Sequence, residues 1–145
     1  MLQHDHLIVN SDLTALTQVQ NWFNQFGQRY FPKPFLSEKQ LYNLNLALVE
    51  GFTNAVRHAH HELPPETKVE IAATLWDDRI EIRIWDQGPP FNPDTLKEPE
   101  LGTLRQGGYG WFLLRRLADQ VVYQRYQNKR NCLIIVKQVL QRQFS

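Results

Sequence analysis

The stretch VEIAATLWDDRIEIRI, Val69 to Ile84, decides the fold class. Val69, Ile71, Ala73 and Leu75 alternate with smaller or more polar residues, and Ile80, Ile82 and Ile84 do the same. A period of two puts each set on one face of a strand. Between them Trp76-Asp-Asp-Arg79 is a tight-turn signal, so the stretch predicts a β-hairpin with Glu81 and Arg83 facing outward.

Upstream the period changes. Ser37-Glu-Lys-Gln40 has the form of a capping box and starts a predicted helix. Leu41, Leu44, Leu48, Phe52, Ala55 and Ala59 fall on one stripe of it, and Leu63-Pro-Pro-Glu ends the region. Before it, Phe31-Pro-Lys-Pro breaks an earlier helix. That helix is capped by Ser11 or Asp12 and carries Leu13, Leu16, Val19 or Gln20, Phe23 and Phe26 at helical spacing. Leu7 to Val9 is read as a short edge strand. Downstream, residues 88–108 hold four of the eight prolines and four of the seven glycines. A connection of that length and composition is read as a lid or binding loop. A helix follows from Tyr109 to Asp119, with Trp111, Leu114, Leu117 and Ala118 on one side. Val121 to Tyr126 and Cys132 to Leu140 form a second hairpin through Gln127-Asn-Lys-Arg130.

Paired strands with segregated helices predict an α+β, two-layer α/β sandwich, its sheet mixed but mostly antiparallel and its helices on one face. The 145 residues fit a single domain, 1–145. Sixteen basic against fifteen acidic residues give a net charge of +1, which offers no general attraction to nucleic acid or to an anionic membrane. The single cysteine, Cys132, excludes an intrachain disulfide and reads as a buried small hydrophobe in a strand. The first residues lack a basic segment followed by an apolar run, and no apolar run is long enough to span a bilayer, so a cytoplasmic setting is expected.

Three segments carry candidate chemistry. In Glu50-Gly-Phe-Thr-Asn54-Ala-Val-Arg57-His58, residues 50, 54 and 57 lie at i, i+4 and i+7, on the stripe opposite the leucines. A solvated helix face would look the same. The chemical reading is a carboxylate that orients or deprotonates a nucleophile, an amide oxygen able to ligate Mg²⁺, and an arginine able to meet phosphate. In Ile84-Trp-Asp86-Gln-Gly88-Pro-Pro-Phe91, a plain turn competes with a carboxylate that accepts from an adenine amino group beside a glycine of close approach. In Gln106-Gly-Gly108-Tyr109-Gly110-Trp-Phe-Leu-Leu, a hinge competes with phosphate-facing amides at a helix start. Gly108-Tyr-Gly110 lacks the third glycine of a dinucleotide fingerprint, since position 113 is Leu, and no Gly-Lys-Ser/Thr P-loop is present. The protein-kinase His-Arg-Asp and Asp-Phe-Gly motifs are also missing. His4, His6, His58, His60 and His61 are not read as a zinc site. His60 and His61 are read as cations at a helix end.

In this order and on these elements, the three segments resemble the N box and the two glycine boxes of the Bergerat-fold ATPases, the superfamily of gyrases, heat-shock chaperones, mismatch-repair ATPases and histidine kinases. Asp86-Gln-Gly-Pro-Pro-Phe-Asn-Pro and Gly107-Gly-Tyr-Gly-Trp-Phe-Leu-Leu-Arg-Arg-Leu-Ala-Asp-Gln-Val are similar to signatures of that superfamily's anti-sigma-factor serine/threonine kinases. The resemblance covers essentially the whole chain. It implies ATP and Mg²⁺ as cofactors, Asn54 as the Mg²⁺ ligand, Asp86 as the adenine contact and Glu50 as the catalytic base. It implies that Arg57, Gly88, Phe91, Arg105, Gly107, Gly108, Tyr109 and Gly110 join Asn54 and Asp86 around the nucleotide. It also implies a homodimer, a STAS-domain antagonist phosphorylated on serine or threonine, and a sigma factor as second partner. One departure stands out. Kinase members often carry a lid arginine close to the second glycine box, whereas here Gln106 precedes Gly107 and Arg105 lies one residue further back. A non-catalytic, nucleotide-dependent protein-binding switch is therefore the alternative, and an ATPase without a protein substrate is a third reading.

Overall fold

A single sheet with strand order β1-β2-β3-β5-β4 organises the chain. The computed structural model describes residues 2–32, 35–90 and 109–139. The strands are β1 Gln3–Asn10, β2 Lys68–Leu75, β3 Arg79–Asp86, β4 Gln120–Arg125 and β5 Asn131–Gln138. Every pairing among them is antiparallel, so the mixed sheet expected from the sequence is wholly antiparallel across the described residues. The two hairpins form where they were read, although Tyr126 and Val139 fall outside the strands of the second and Leu140 lies outside the described residues; β1 lies at the sheet edge as expected, running longer than Leu7 to Val9.

Register explains why the helices take one face. Ile71 opposes Ile84, Ala73 opposes Ile82, and Ile82 and Ile84 oppose Ile135 and Leu133. These residues alternate along their strands and so point to a single side, where all are buried. The opposite side carries Glu81, Arg83, Trp85 and Arg130, with Arg83 paired to Glu81 and Arg130 both paired to Glu70 and seated over the Trp85 ring. Cys132 opposes Trp85. Burial pushes its thiol up to about 12, so it acts as packing rather than as a nucleophile.

The apolar face is covered by α1 Leu16–Tyr30, α2 Glu38–Asn54 and α3 Tyr109–Leu117. A short 3₁₀ turn, Leu13–Ala15, precedes α1, and Asp12 caps it by accepting from the Thr14 amide. Val19, Phe23 and Phe26 bury the inner face of α1. The Ser37–Gln40 capping box forms with both reciprocal bonds, 2.9 and 3.1 Å. On α2, Leu44, Leu48 and Phe52 are fully buried, but Leu41 is 38% exposed and falls outside the core stripe. It sits in the first turn, before the helix reaches the sheet. Gly51 lets α2 lie on the sheet, because a β-carbon there would come 2.6 Å from Ile84 Cδ1 and 3.0 Å from Leu133 Cδ2.

Past Asn54 the helix changes. Residues Ala55–Ala59 form a π turn, closed by the His60 amide donating to the Ala55 carbonyl at 2.9 Å. The i, i+4, i+7 count for residues 50, 54 and 57 assumes α geometry throughout. The wider turn starts between the second and third of them and alters the phase of Arg57.

Ile82 tests the core. It is fully buried at the centre of the sheet, so Ile82→Ala is expected to cost about 2–5 kcal/mol. Ile8, 53% exposed on the edge strand, serves as control, with Ile8→Ala expected within about 0.5 kcal/mol of wild type. Urea unfolding midpoints at constant m-value measure both.

Candidate nucleotide site

The helix-facing row of β3 runs Ile80, Ile82, Ile84 and then Asp86, all buried. A carboxylate at the end of an apolar row has to be satisfied by donors. The sheet supplies them. Asn131 opposes Asp86 in register and donates from Nδ2 to Asp86 Oδ1 at 2.7 Å. Tyr123 on β4 donates its hydroxyl to Oδ2 at 2.6 Å. The Gly88 amide donates back to Oδ1 at 2.9 Å and closes the turn. A carboxylate offers about four lone-pair positions, so these three donors leave about one, on Oδ2, for an incoming N–H. Burial, with the Asp86 charge beside it, pushes the Tyr123 phenol well above its ordinary range, so it stays a donor.

The turn after Asp86 is held from several sides. Asn131 Nδ2 also donates to the Gly88 carbonyl at 3.0 Å, and Arg125 donates to the same carbonyl at 2.9 Å. Gly88 lies against the π turn, and a β-carbon there would come 2.3 Å from the Ala59 carbonyl oxygen. Backbone meets backbone at this point, which only glycine permits.

Next to Ala59, His60 is 3% exposed. Its Nε2 accepts from the Gln87 amide at 2.8 Å, and its Nδ1 lies 2.9 Å from Ser11 Oγ. A ring that accepts at Nε2 is neutral, with its proton on Nδ1, and donates to Ser11. Burial lowers its pKa from 6.5, while the Asp86 charge opposes that shift. The sequence reading of His60 as a helix-end cation is therefore corrected. The π turn aims the ring inward, and Ser11 serves the imidazole while Asp12 alone caps the first turn.

The first and third sequence segments meet at Gly110, the second residue of α3. A β-carbon on Gly110 would lie 2.9 Å from Asn54 Oδ1 and 2.9 Å from Glu50 Oε2. The first turn of α3 thus packs against a carboxylate and an amide oxygen on α2. Both side chains are half-buried, whereas Arg57 and His58 are exposed. Tyr109 begins α3. Phe91, Arg105, Gly107 and Gly108, with the rest of the expected lid from residue 91 onward, lie outside the described residues. Sequence reasoning did not single out Tyr123, Asn131, Arg125, Ser11 or the inward His60 as parts of this site. Asn131, a polar residue opening an apolar strand opposite Asp86, was the available signal. No group of three or more potential metal-ligating His, Cys, Asp and Glu occurs among the described residues.

Residues 9–137 match the family model described as a histidine kinase-like ATPase domain. Among curated proteins, the chain is 34% identical to the serine-protein kinase RsbW of Oceanobacillus iheyensis over 93 residues, 59% of this chain and 58% of that protein. It is 31% identical to RsbW of Staphylococcus epidermidis over 99 residues, 63% of this chain and 62% of that protein. It is 34% identical to RsbW of Staphylococcus aureus over 84 residues, 52% of this chain and 53% of that protein. The aligned part therefore spans about three fifths or less of these relatives.

Two substitutions test the packing around Asp86. Gly88→Ala sets a methyl against the Ala59 carbonyl and is expected to cost about 1–3 kcal/mol, because backbone must move on one side or the other. Tyr123→Phe removes a donor from a buried carboxylate, with an expected cost of about 1–3 kcal/mol. Thermal and urea unfolding of both variants measure these losses.

Proposed function

Because this chain belongs to the histidine kinase-like ATPase family, we propose that it binds ATP as a single domain, residues 1–145. It transfers the γ-phosphoryl group to a serine or threonine of a STAS-domain antagonist and works as an anti-sigma-type partner switch. The observation that supports this reading best is the meeting of Glu50, Asn54 and Gly110 at the start of α3. There the first turn of α3 packs closely against a carboxylate and a neutral amide oxygen of α2.

The roles follow from the chemistry. Asp86 accepts from the adenine amino group and discriminates against guanine, which presents an acceptor at that position. Gly88 keeps the turn close to the base. Gly107, Gly108 and Gly110 let the chain follow the phosphates, with Arg57 and Arg105 as the cations for them and Phe91 and Tyr109 beside the nucleotide. The side-chain oxygen of Asn54 next to a carboxylate suits Mg²⁺, a hard cation that takes few protein ligands, and Asn54 would hold it. The ion supplies charge neutralisation on the phosphates. Glu50 accepts the proton of the serine hydroxyl as its oxygen forms a bond to the γ-phosphorus and the bond to ADP breaks. Positioning and electrostatics carry most of the work in such a transfer. The partners of this reading are the antagonist, a sigma factor and a second copy of the chain, in the cytoplasm. No helix among the described residues is long and apolar enough to cross a membrane. The placement of Gln106 directly before Gly107, with Arg105 one residue back, favours a second reading, a nucleotide-dependent binding switch without turnover.

Calorimetric titration with ATP and Mg²⁺, beside GTP, tests the nucleotide reading. Adenine-selective binding is expected, and Asp86→Ala should weaken it about 5- to 150-fold, the consequence of about 1–3 kcal/mol lost at a buried polar site. Glu50→Ala should still bind ATP but place no labelled phosphate on a STAS-domain substrate. Undiminished transfer by that variant removes Glu50 from the role of base, and absence of transfer by the wild type leaves the switch reading.

A further inference from the structure

His60 touches neither of the groups expected to contact nucleotide through its own ring, yet it holds both sides of the turn that carries Asp86. It caps the π turn, whose Ala59 carbonyl lies against Gly88, and its Nε2 accepts from the amide of Gln87, the residue between Asp86 and Gly88. Its other nitrogen reaches Ser11, at the end of β1. One imidazole therefore ties three segments together, and it does so only in one protonation state. A neutral ring with its proton on Nδ1 can donate to Ser11 and accept from Gln87, whereas an imidazolium has two N–H groups and can accept from neither.

The surroundings decide what the charged ring would do. Asp86 on β3 is the charged group that acts on it. From the end of β1 it meets the Ser11 hydroxyl. At the start of β2 the Lys68 ammonium is engaged with Asn10, and the Lys68 carbonyl takes the Gln87 side chain. On its own turn, Arg57, His58 and His61 are exposed. A proton on Nε2 would face the Gln87 N–H, donor against donor, and the ring's nearest anion is the carboxylate that already receives Gly88, Tyr123 and Asn131.

We propose that His60 is a positioning residue whose neutral form sets the Asp86–Gly88 turn for nucleotide, and that protonation of His60 and nucleotide binding exclude one another. The proton breaks the Gln87 bond, loosens the turn and turns the imidazolium toward Asp86, where it competes with the purine amino group for the remaining carboxylate lone pair. Nucleotide affinity thus falls as the medium becomes acidic, and bound nucleotide in turn resists protonation of His60, since the coupling between two sites is reciprocal. This rests on the reading of Asp86 as the purine contact.

The test is ATP affinity, with saturating Mg²⁺, measured from pH 8 down to pH 4.5 for the wild type and for His60→Gln. Glutamine places an amide oxygen near the Nε2 position and does not titrate in this range. For the wild type, affinity is expected to drop about tenfold once the pH is one unit below the titration point of His60, because only the neutral fraction is competent. Protonation of the nucleotide phosphates is common to both proteins, so the difference between their pH profiles belongs to His60. The glutamine variant is expected to lose that difference. Equal pH profiles overturn the inference and leave the ATP reading intact, whereas no ATP binding by the wild type at pH 8 overturns the ATP reading itself. A measurement without any substitution stands beside it, the ¹⁵N shifts of the His60 ring in the wild type. The neutral Nδ1–H tautomer and a titration point lower with ATP than without support the inference. An Nε2–H tautomer, or a titration point that ATP leaves unmoved, overturns it.

Discussion

A carboxylate that ends an apolar row of strand residues has to find donors inside the fold, and much of the site is arranged around that requirement. Asp86 continues the line of Ile80, Ile82 and Ile84, so the same alternation that buries the isoleucines also buries the charge. The register of β3 against β5 then brings Asn131 opposite it, and β4 brings Tyr123 one strand further on. A one-residue slip in either pairing would move these donors to the other face of the sheet. Satisfaction of Asp86 and the register of the second hairpin are thus one constraint, met by the same hydrogen bonds.

The second constraint is steric and lies on α2. This helix packs on the sheet through Gly51, presents Glu50 and Asn54 to Gly110, and then widens so that Ala59 meets Gly88. A regular α-helix continued past Asn54 would carry different side chains to the Asp86 turn. The π turn puts a backbone carbonyl against Gly88 and an imidazole against Gln87 instead. Core packing, the paired oxygens and the turn contacts therefore share a single element, and a shift of α2 along the sheet would disturb all of them together.

The hairpins, the capping box and the breaks at proline were legible because each rests on local rules, namely period, cap chemistry and fixed φ. The burial of Val19, Phe23, Phe26, Leu44, Leu48 and Phe52 followed from helical spacing for the same reason. Leu41 was misjudged because helical phase alone does not say where along its axis a helix leaves the sheet. The antiparallel character of every described pair depends on how distant strands meet, which spacing does not encode. Likewise the residues that satisfy Asp86 come from positions 123 and 131, far away in sequence, and only the register joins them. His60 was misread for a different reason. Its place at the helix end suggested a cation suited to the dipole, and nothing local announces that the last turn widens to five-residue spacing and that this one ring is buried.

A buried neutral histidine near a buried carboxylate is ordinarily a poor combination, since the nearby anion favours protonation of the ring. Here the anion's acceptor sites are largely committed to Gly88, Tyr123 and Asn131, and the ring's own acceptor is committed to a backbone amide. Burial then outweighs the attraction and lowers the pKa of His60. The two groups stay in different charge states because each has its hydrogen bonds supplied by a third party. Removing a donor from Asp86 would free a lone pair for the imidazolium and narrow the gap between the two states of the turn. The hydroxyl of Tyr123 and the amide of Asn131 are in this sense part of what keeps His60 neutral, although neither donates to the ring.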